Sequence, residues 1–303
     1  MERPAILSRI GNTPLLEVQR LNPLRPRVRL FAKCEWFNPG GSVKDRAALW
    51  MVEDAERTGA LVAGKIILEA TSGNTGIGLA LVGAAKGYRV RLVMPANVSE
   101  ERKRILAALG AEVTLTDPLE GQDGAILAAR DLAAKEPERY WYADQYSNPA
   151  NPRAHIEGTG PEVWAQTQGR VTHVVACLGT SGTAMGLVRF FRAKDPRIQV
   201  WGVEPTHGFH GIEGLKHMAS SLVPPLYDRD LLDGVLPIDT EDAYVLARRL
   251  AREEGFLVGQ SSGAALHASL ALARTLPAGQ EARIVTVFAD GADRYLSTRL
   301  FGT

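Results

Sequence analysis

The stretch Ile66-Ile-Leu-Glu-Ala-Thr-Ser-Gly-Asn-Thr-Gly76 passes from an apolar run, through a polar loop, into the first turn of an amphipathic pattern. Residues 66–68 predict a buried strand, and residues 76–85 predict a helix that ends near Gly87. A strand joined to a helix by a short loop is the unit from which parallel sheets are built. The stretch therefore predicts an α/β fold.

The loop of this stretch holds four polar side chains, those of Thr71, Ser72, Asn74 and Thr75. The simpler interpretation is helix capping by a serine or threonine, with Asn74 in a left-handed turn. Capping needs only one such residue, so four of them favour a binding function. Backbone N–H groups at a helix N-terminus bind anions, and we expect a carboxylate at this loop.

A second loop of the same kind occurs in the second half of the chain. Residues 171–178 predict a strand, Gly179-Thr-Ser-Gly-Thr183 follows it, and residues 183–193 predict a helix. Two glycines allow close backbone approach and three hydroxyls can donate, which is typical of a phosphate-binding loop. It is not a Walker A loop, because no Gly-Lys-Ser/Thr follows. Two such loops predict a ligand with two anionic groups, bound between the two halves.

The rest of the chain continues the alternation of strands and helices. Further strands are predicted at residues 90–94, 113–115, 200–203 and 284–288, and further helices at residues 99–109, 122–135, 240–254 and 263–274. This alternation predicts mostly parallel sheets covered by helices on both faces. The Pro- and Asn-rich segment 144–152 is the best candidate for a link between two α/β domains. The irregular segment 207–233 predicts a lid or substrate loop.

The composition narrows the class of protein. The 303 residues, 45% of them hydrophobic, suffice for two packed domains. A net charge of +1 gives no electrostatic case for nucleic acid or a membrane surface. Only Cys34 and Cys177 are present, which argues against a disulfide framework and fits a reducing, cytoplasmic location. The histidines show no metal-ligand spacing, no apolar run is long enough for a transmembrane helix, and no signal peptide is recognisable.

The motif Asn38-Pro-Gly-Gly-Ser-Val-Lys-Asp-Arg46 places Lys44 between a glycine-rich turn and a predicted helix. An amine that forms a Schiff base must be neutral, whereas an unperturbed lysine titrates near about 10.4. Burial lowers this pKa and makes the amine reactive. The alternative is a surface lysine paired with Glu35 or Asp45, and the spacing alone does not separate the two.

A fourth motif, Gly259-Gln-Ser-Ser-Gly263, opens the helix predicted at residues 263–274. The simpler interpretation is N-capping by Ser262. Capping by Ser262 leaves Ser261 available for a different role.

Taken in order, these motifs resemble those of the cysteine synthase family, which belongs to the fold-type II pyridoxal-phosphate enzymes. The Lys44 motif resembles the family's cofactor-lysine motif, and Thr71-Ser-Gly-Asn-Thr-Gly76 resembles its substrate-carboxylate loop. Gly179-Thr-Ser-Gly-Thr183 resembles its phosphate loop, with Ser181 where glycine is common. The C-terminal run Gly291-Ala-Asp-Arg-Tyr-Leu-Ser-Thr298 is most similar to the B-type branch of the O-acetylserine sulfhydrylases.

The resemblance implies pyridoxal 5′-phosphate as the cofactor, joined to Lys44 by a Schiff base, with Lys44 as the catalytic proton-transfer base. It implies Asn74 at the cofactor's 3′ oxygen and Ser261 at its pyridine nitrogen. The residues implied around its phosphate are Gly179, Thr180, Ser181, Gly182 and Thr183. The residues implied around the substrate carboxylate are Thr71, Ser72, Asn74, Thr75 and Gln145.

The resemblance also implies the organisation and the reaction. A smaller domain would span residues 36–148, a larger one residues 1–35 plus 149–303, with the active site between them. The implied reaction is a transferase reaction, the β-replacement of O-acetylserine or O-phosphoserine with sulfide or another sulfur donor to give L-cysteine. Lys216 in the 207–233 segment is a candidate contact for a substrate phosphate, the alternative being a solvated lysine. A homodimer is expected on the same ground.

Two other functions stay open at the level of sequence. A serine or threonine dehydratase of the same fold would release pyruvate or oxobutyrate instead of making cysteine. A non-enzymatic anion-binding scaffold would carry a degenerate site, and the intact Lys44, Asn74 and Ser261 argue against it.

Overall fold

A computed structural model describes residues 3–71 and 73–302 of the chain. Its strands are β1 (Leu15–Val18), β2 (Val28–Cys34), β3 (Ile66–Ala70), β4 (Val90–Pro95), β5 (Glu112–Thr116), β6 (Tyr140–Tyr142), β7 (His173–Cys177), β8 (Gln199–Pro205), β9 (Gly234–Ile238) and β10 (Ala282–Phe288). Its α-helices are α1 (Lys44–Thr58), α2 (Asn74–Lys86), α3 (Glu100–Ala108), α4 (Gly121–Lys135), α5 (Ala150–Ala154), α6 (Gly160–Gln166), α7 (Gly182–Lys194), α8 (Thr240–Arg249) and α9 (Gln260–Thr275).

The strands form two sheets. One has six strands in the order β1-β2-β10-β7-β8-β9, and the other has four in the order β5-β4-β3-β6. Only β1 runs antiparallel to its neighbour, and all the other pairs are parallel. All five residues of β3 are buried, as expected for a strand covered on both faces. The prediction of two mostly parallel sheets covered by helices is confirmed.

The stretch that predicts the fold forms β3 and α2, and one detail of its interpretation is wrong. Helix α2 begins at Asn74, so this residue is helical and not in a left-handed turn. A left-handed backbone conformation is found instead in the second loop, where Ser181 has φ +67° directly before α7. Glycine adopts this conformation without the steric cost that a side chain adds, which explains why glycine is common at this position in the resembling family.

Several elements are not predicted from the sequence. β1 and β2 bring the N-terminal segment to the edge of the six-stranded sheet, where β2 pairs with β10 near the other end of the chain. The segment proposed as a link becomes helical at Ala150, and α5 and α6 are joined by a π-helical turn at His155–Thr159. Capping by Ser262 is also wrong, because Gly259 is the N-cap residue of α9.

The predicted irregular segment at residues 207–233 is confirmed, since it holds only the short 3₁₀ turns Met218–Ser220 and Arg229–Leu231. None of the helices in the described part of the chain is both long and apolar enough to cross a membrane.

Candidate active site

A cavity of about 760 Å³ lies where loops from the two sheets meet. It is lined by residues that follow the carboxyl ends of β3, β7 and β10, together with the start of α1. Ligands of parallel α/β sheets bind at the carboxyl ends of the strands, and a cavity of this volume suits a small molecule. The predicted site residues that line it are Lys44, Thr71, Asn74, Thr75, Gln145, Gly179, Thr180, Thr183, Lys216 and Ser261.

Lys44 is the first residue of α1, and the turn before it is fixed to the end of β10. Val43 donates a backbone hydrogen bond of 2.8 Å to the carbonyl of Ala289, and Ser42 forms an isolated β-bridge with Asp290. Among the described residues, no acceptor or carboxylate lies within bonding distance of the Lys44 ammonium. Burial lowers the pKa of Lys44, and the nearby Asp290 carboxylate opposes this shift.

The alternative reading of Lys44 as a paired surface lysine is wrong. Glu35 is buried and bonds Arg46, with the Nε–Oε2 distance at 2.7 Å. The Asp45 carboxylate accepts from the backbone N–H of Gly40 at 2.5 Å. Both proposed partners are therefore engaged elsewhere, and Lys44 faces the cavity.

The polar loop after β3 is joined to Gln145 by hydrogen bonds. Thr75 Oγ1 donates to Gln145 Oε1 at 2.6 Å, and Gln145 Nε2 donates to the carbonyl of Ala70 at 3.1 Å. Thr71 Oγ1 accepts from the backbone N–H of Gly73. Ser72, the fourth residue of the predicted carboxylate loop, lies outside the described residues. The structure thus brings Thr71, Thr75 and Gln145 together on one wall of the cavity.

The second loop, at residues 179–183, lies at the N-terminus of α7. Ser181 is buried, and its Oγ has no hydrogen-bond partner within residues 3–71 and 73–302. Gly182 has no room for a side chain, because a Cβ would overlap the Asn151 side-chain amide. Ser181 and Gly182 do not themselves line the cavity, whereas the other three residues of the loop do.

Two residues that the sequence analysis does not single out for this loop hold its hydroxyls. Asn151 Nδ2 donates to Thr180 Oγ1 at 3.1 Å and to the carbonyl of Gln145 at 2.7 Å. His155 Nε2 lies 3.2 Å from Thr183 Oγ1. Burial lowers the pKa of His155 to about 3, so this imidazole is neutral near pH 7. Both residues belong to the helical segment that the sequence does not predict, which explains why they are missed.

Ser261 and Cys177 are neighbouring residues of the cavity lining. Ser261 is the second residue of α9, and its carbonyl accepts from Cys177 Sγ at 3.4 Å. Burial raises the pKa of the Cys177 thiol to about 12, so it is protonated near pH 7. Cys34 is a buried core thiol, whereas Cys177 lies at the cavity wall.

Lys216 reaches the cavity from the loop after β8, but its ammonium is already paired. It lies 2.8 Å from Asp123 Oδ1 of α4 and 5.3 Å from the centre of the Tyr146 ring. The side chain is only 10% exposed, so the alternative of a solvated lysine is wrong. The next ion pair of this loop joins Glu213 to Arg102 of α3.

Asp290, which lines the cavity, and Arg294, which contacts Asn74 from outside the lining, are further residues of the site that are not predicted from the sequence. Asn74 Nδ2 donates to Asp290 Oδ2 at 2.6 Å, and Arg294 Nη1 donates to Asn74 Oδ1 at 2.6 Å. Asp290 lies two residues after the end of the predicted strand at residues 284–288. Its position at the carboxyl end of a parallel strand is the signal that could have found it.

The donors of the cavity wall and of the buried loop behind it fit a cofactor with an aldehyde and a phosphate. Lys44 offers an amine of lowered pKa, and the Ser181 hydroxyl is a buried donor without a partner in the described chain, at a helix N-terminus. No group of three His, Cys, Asp or Glu side chains in the described residues could hold a metal ion.

Comparison with known proteins agrees with this chemistry. Residues 6–290 match the family model described as "Pyridoxal-phosphate dependent enzyme". The chain is 56% identical to a cysteine synthase of Aquifex aeolicus over 99% of its own length and 92% of that enzyme. It is 44% identical to cysteine synthase B of Salmonella typhimurium, over 97% of this chain and 94% of the relative. A crystal structure of the cysteine synthase of Entamoeba histolytica superposes with a TM-score of 0.92 at 38% identity, covering 98% of this chain and 90% of that one. The chain is therefore a pyridoxal-phosphate-dependent enzyme and belongs to the cysteine synthase family.

Proposed function

We propose that this enzyme makes L-cysteine by replacing the O-linked group of an activated L-serine with sulfide or another sulfur donor. The observation that carries the proposal is that one cavity brings Lys44 together with one anion-binding loop from each sheet. Lys44 has no ion-pair partner among the described residues. One loop suits a substrate carboxylate and the other a cofactor phosphate. The relatives named cysteine synthase support the same reaction.

We assign the cofactor contacts to residues of this cavity. Lys44 would hold pyridoxal 5′-phosphate through a Schiff base, residues 179–183 its phosphate, Asn74 its 3′ oxygen and Ser261 its pyridine nitrogen. When bound, the cofactor supplies an electron sink for the Cα of an amino acid. Ser181 and Gly182 form the N-terminus of α7. This supports the phosphate assignment, since helix N-termini favour anions.

Lys44 is assigned a second role as the base that moves the substrate proton. Once its nitrogen is released by the substrate amine, it can remove the proton at Cα and later return it to the same atom. The lowered pKa of Lys44 supports this role, because an ordinary lysine is almost fully protonated near pH 7 and cannot accept a proton. The Asp290 carboxylate, also at the cavity, would stabilise the resulting ammonium.

The substrate is assigned to the wall formed by the polar loop. Thr71, Thr75 and Gln145 would bind its carboxylate, together with Ser72. The substituent on Cβ would then point toward Lys216, which supports O-phosphoserine as a substrate beside O-acetylserine. Asp123 is already paired with Lys216, and its negative charge would repel the phosphate of such a substrate.

We also propose two domains, residues 36–148 and residues 1–35 plus 149–303. Strands β3 to β6 form one sheet and the remaining strands the other, which supports this division. A homodimer and a cytoplasmic location are proposed by resemblance to the family. Light scattering on the purified protein would test the dimer, and a monomer mass would contradict it.

The reaction is tested by incubating the purified holoenzyme with O-acetylserine or O-phosphoserine in the presence and absence of sulfide. We expect cysteine as the main product when sulfide is present. Pyruvate as the main product, with or without sulfide, would instead favour the serine dehydratase alternative. Absence of any turnover, together with no binding of pyridoxal phosphate, would contradict the proposed function.

The cofactor lysine is tested by borohydride reduction of the holoenzyme followed by peptide mass spectrometry. We expect the pyridoxyl mass on the peptide that contains Lys44, and its loss in Lys44→Ala. Lys135→Ala is a matched control, since Lys135 is exposed on α4 and pairs only with Asp131. Label on another lysine in the wild-type protein would refute the assignment.

A further inference from the structure

The side-chain amide of Asn74 is held from two sides by groups of opposite hydrogen-bonding type. Asp290 Oδ2 accepts from Asn74 Nδ2, and Arg294 Nη1 donates to Asn74 Oδ1, both at 2.6 Å. A guanidinium can only donate, so the amide oxygen of Asn74 must face Arg294, and its N–H then donates to the Asp290 carboxylate. Burial raises the pKa of Asp290, and its hydrogen bonds to Tyr295 and Asn74 oppose that rise and favour the ionised form. The pair therefore allows one orientation of the amide, because a flipped Asn74 would face donor to donor and acceptor to acceptor.

Both partners of Asn74 are themselves buried and fixed. Asp290 is 1% exposed, accepts from the Tyr295 hydroxyl at 2.6 Å and lies in the β-bridge with Ser42. Arg294 is 4% exposed, and its Nη2 donates to the carbonyl of Gly40 at 2.9 Å. Gly40 and Ser42 belong to the turn that precedes Lys44. The amide of Asn74 and the Lys44 turn are thus fixed by the same two residues, Arg294 through its guanidinium and Asp290 through its side chain and its backbone.

The fixed orientation leaves one N–H of Asn74 available at the cavity. An amide nitrogen carries two N–H groups, and only the bond to Asp290 occupies one of them within residues 3–71 and 73–302. Asn74 itself lines the cavity beside Lys44. We propose that Asp290 and Arg294 are positioning residues that point this N–H of Asn74 at an anionic oxygen of the bound cofactor. The proposal rests on the assignment of Asn74 as a cofactor contact.

The test measures the affinity of the apoprotein for pyridoxal phosphate, and the absorption spectrum of the bound cofactor as a function of pH. We expect Asn74→Ala to weaken binding about tenfold, the effect of one charge-assisted hydrogen bond. We expect Asp290→Ala and Arg294→Met each to weaken it at least threefold and to displace the spectral pH titration in the direction that Asn74→Ala does. In the double variant Asn74→Ala/Asp290→Ala, binding should be no weaker than in Asn74→Ala alone.

Three further variants separate orientation from other effects. Asp290→Asn keeps an acceptor oxygen for Asn74, so it should bind the cofactor more tightly than Asp290→Ala. Tyr295→Phe removes the second hydrogen bond to the same Asp290 oxygen without touching Asn74, so it should weaken cofactor binding less than Asp290→Ala does. Asp293→Asn is the matched charge control, because this exposed carboxylate lies 3.5 Å from Arg294 Nε.

The outcomes distinguish the inference from the assignment on which it rests. Wild-type affinity in Arg294→Met, or additive losses in the double variant, would overturn the positioning role while leaving Asn74 as a contact. Wild-type affinity and spectrum in Asn74→Ala would overturn both. If Asp290→Ala does not fold, as judged by its thermal unfolding, Arg294→Met paired with Arg294→Met/Asn74→Ala gives the same non-additivity test.

Discussion

Replacing Asp123 by asparagine should shift the enzyme's preference toward O-phosphoserine. Asp123 Oδ1 lies 2.8 Å from Lys216 Nζ, and its Oδ2 accepts from the backbone N–H of Leu222 at 3.1 Å. Asparagine has nearly the same shape and can still accept from Leu222 through its oxygen. The substitution therefore removes a charge while it conserves the fold of the loop.

The expected size of the change in substrate preference follows from how far the Lys216–Asp123 ion pair is buried. Two unit charges about 4 Å apart interact by about 4 kcal/mol at an effective dielectric constant near 20, whereas exposed pairs contribute only about 0.2–1 kcal/mol. Lys216 is 8% exposed and the Asp123 side chain 36% exposed, so the pair lies between these limits. A substrate phosphate at Lys216 would meet repulsion of similar size from Asp123. We take about 1.4 kcal/mol, which is a tenfold change in a rate ratio.

The assay compares kcat/KM for O-phosphoserine and O-acetylserine in wild type, Asp123→Asn, Lys216→Ala and the double variant. The ratio of the two values should rise about tenfold in Asp123→Asn, because acetate carries no charge while it is esterified. The rise should vanish in the double variant, since Lys216 is the group that the phosphate would contact. Asp131→Asn, an exposed change on the same helix, should leave the ratio unaltered. A ratio within twofold of wild type in Asp123→Asn, or the same rise without Lys216, would refute the reasoning.

Three other predictions follow from contacts around the site. Gly182→Ala should weaken binding of pyridoxal phosphate at least tenfold in a spectroscopic titration, because the new Cβ would overlap the Asn151 amide; unchanged affinity would contradict the packing argument. Arg46→Met should lower the free energy of unfolding by about 3–5 kcal/mol, since it leaves the buried Glu35 carboxylate without its cationic partner, whereas the exposed Arg57→Met should change it little; chemical denaturation measures both. Burial raises the pKa of Glu69 to about 8 from an ordinary 4.5, so ionising it opposes folding, and the penalty is absent below pH 4.5 and complete above pH 8. The melting temperature of wild type should therefore fall more steeply between pH 5 and 8 than that of Glu69→Gln, and parallel curves would argue against an ionisable Glu69 in this role.

The sequence predicts the parts of the site that are local in the chain. A strand, a polar loop and a helix N-terminus lie within about ten residues of one another in each half, so their composition reveals the Thr71 and Gly179 loops directly. Lys44 is also recognisable, because its motif is continuous. The start of α7 is predicted within one residue for the same reason.

The contacts that fix these groups are long-range and leave little local signal. Asn74 and Arg294 are 220 residues apart, and Arg46 bonds a glutamate, Glu162, 116 residues away. Whether Lys44 or Arg46 takes Glu35 as a partner depends on which faces of α1 turn toward the two sheets. The short motif does not specify those faces, so the pairing of Lys44 with Glu35 stays a reasonable alternative until tertiary structure decides it.

The sequence predicts Lys216 as a residue of the site, but it does not predict the acidic residue that pairs with it. The loop of Lys216 is attached to helices of the other sheet by two ion pairs of opposite polarity, Lys216 to Asp123 and Glu213 to Arg102. Exchanging the two charges of the loop would lose both contacts. The two ion pairs therefore fix which residue of the loop faces which helix of the other sheet. A neutral leaving group leaves both pairs intact, whereas a phosphate must share Lys216 with Asp123 or displace it. If Lys216 has its proposed role, selectivity between the two substrates would depend on an acidic partner 93 positions away from the lysine, and the lysine alone would not decide it.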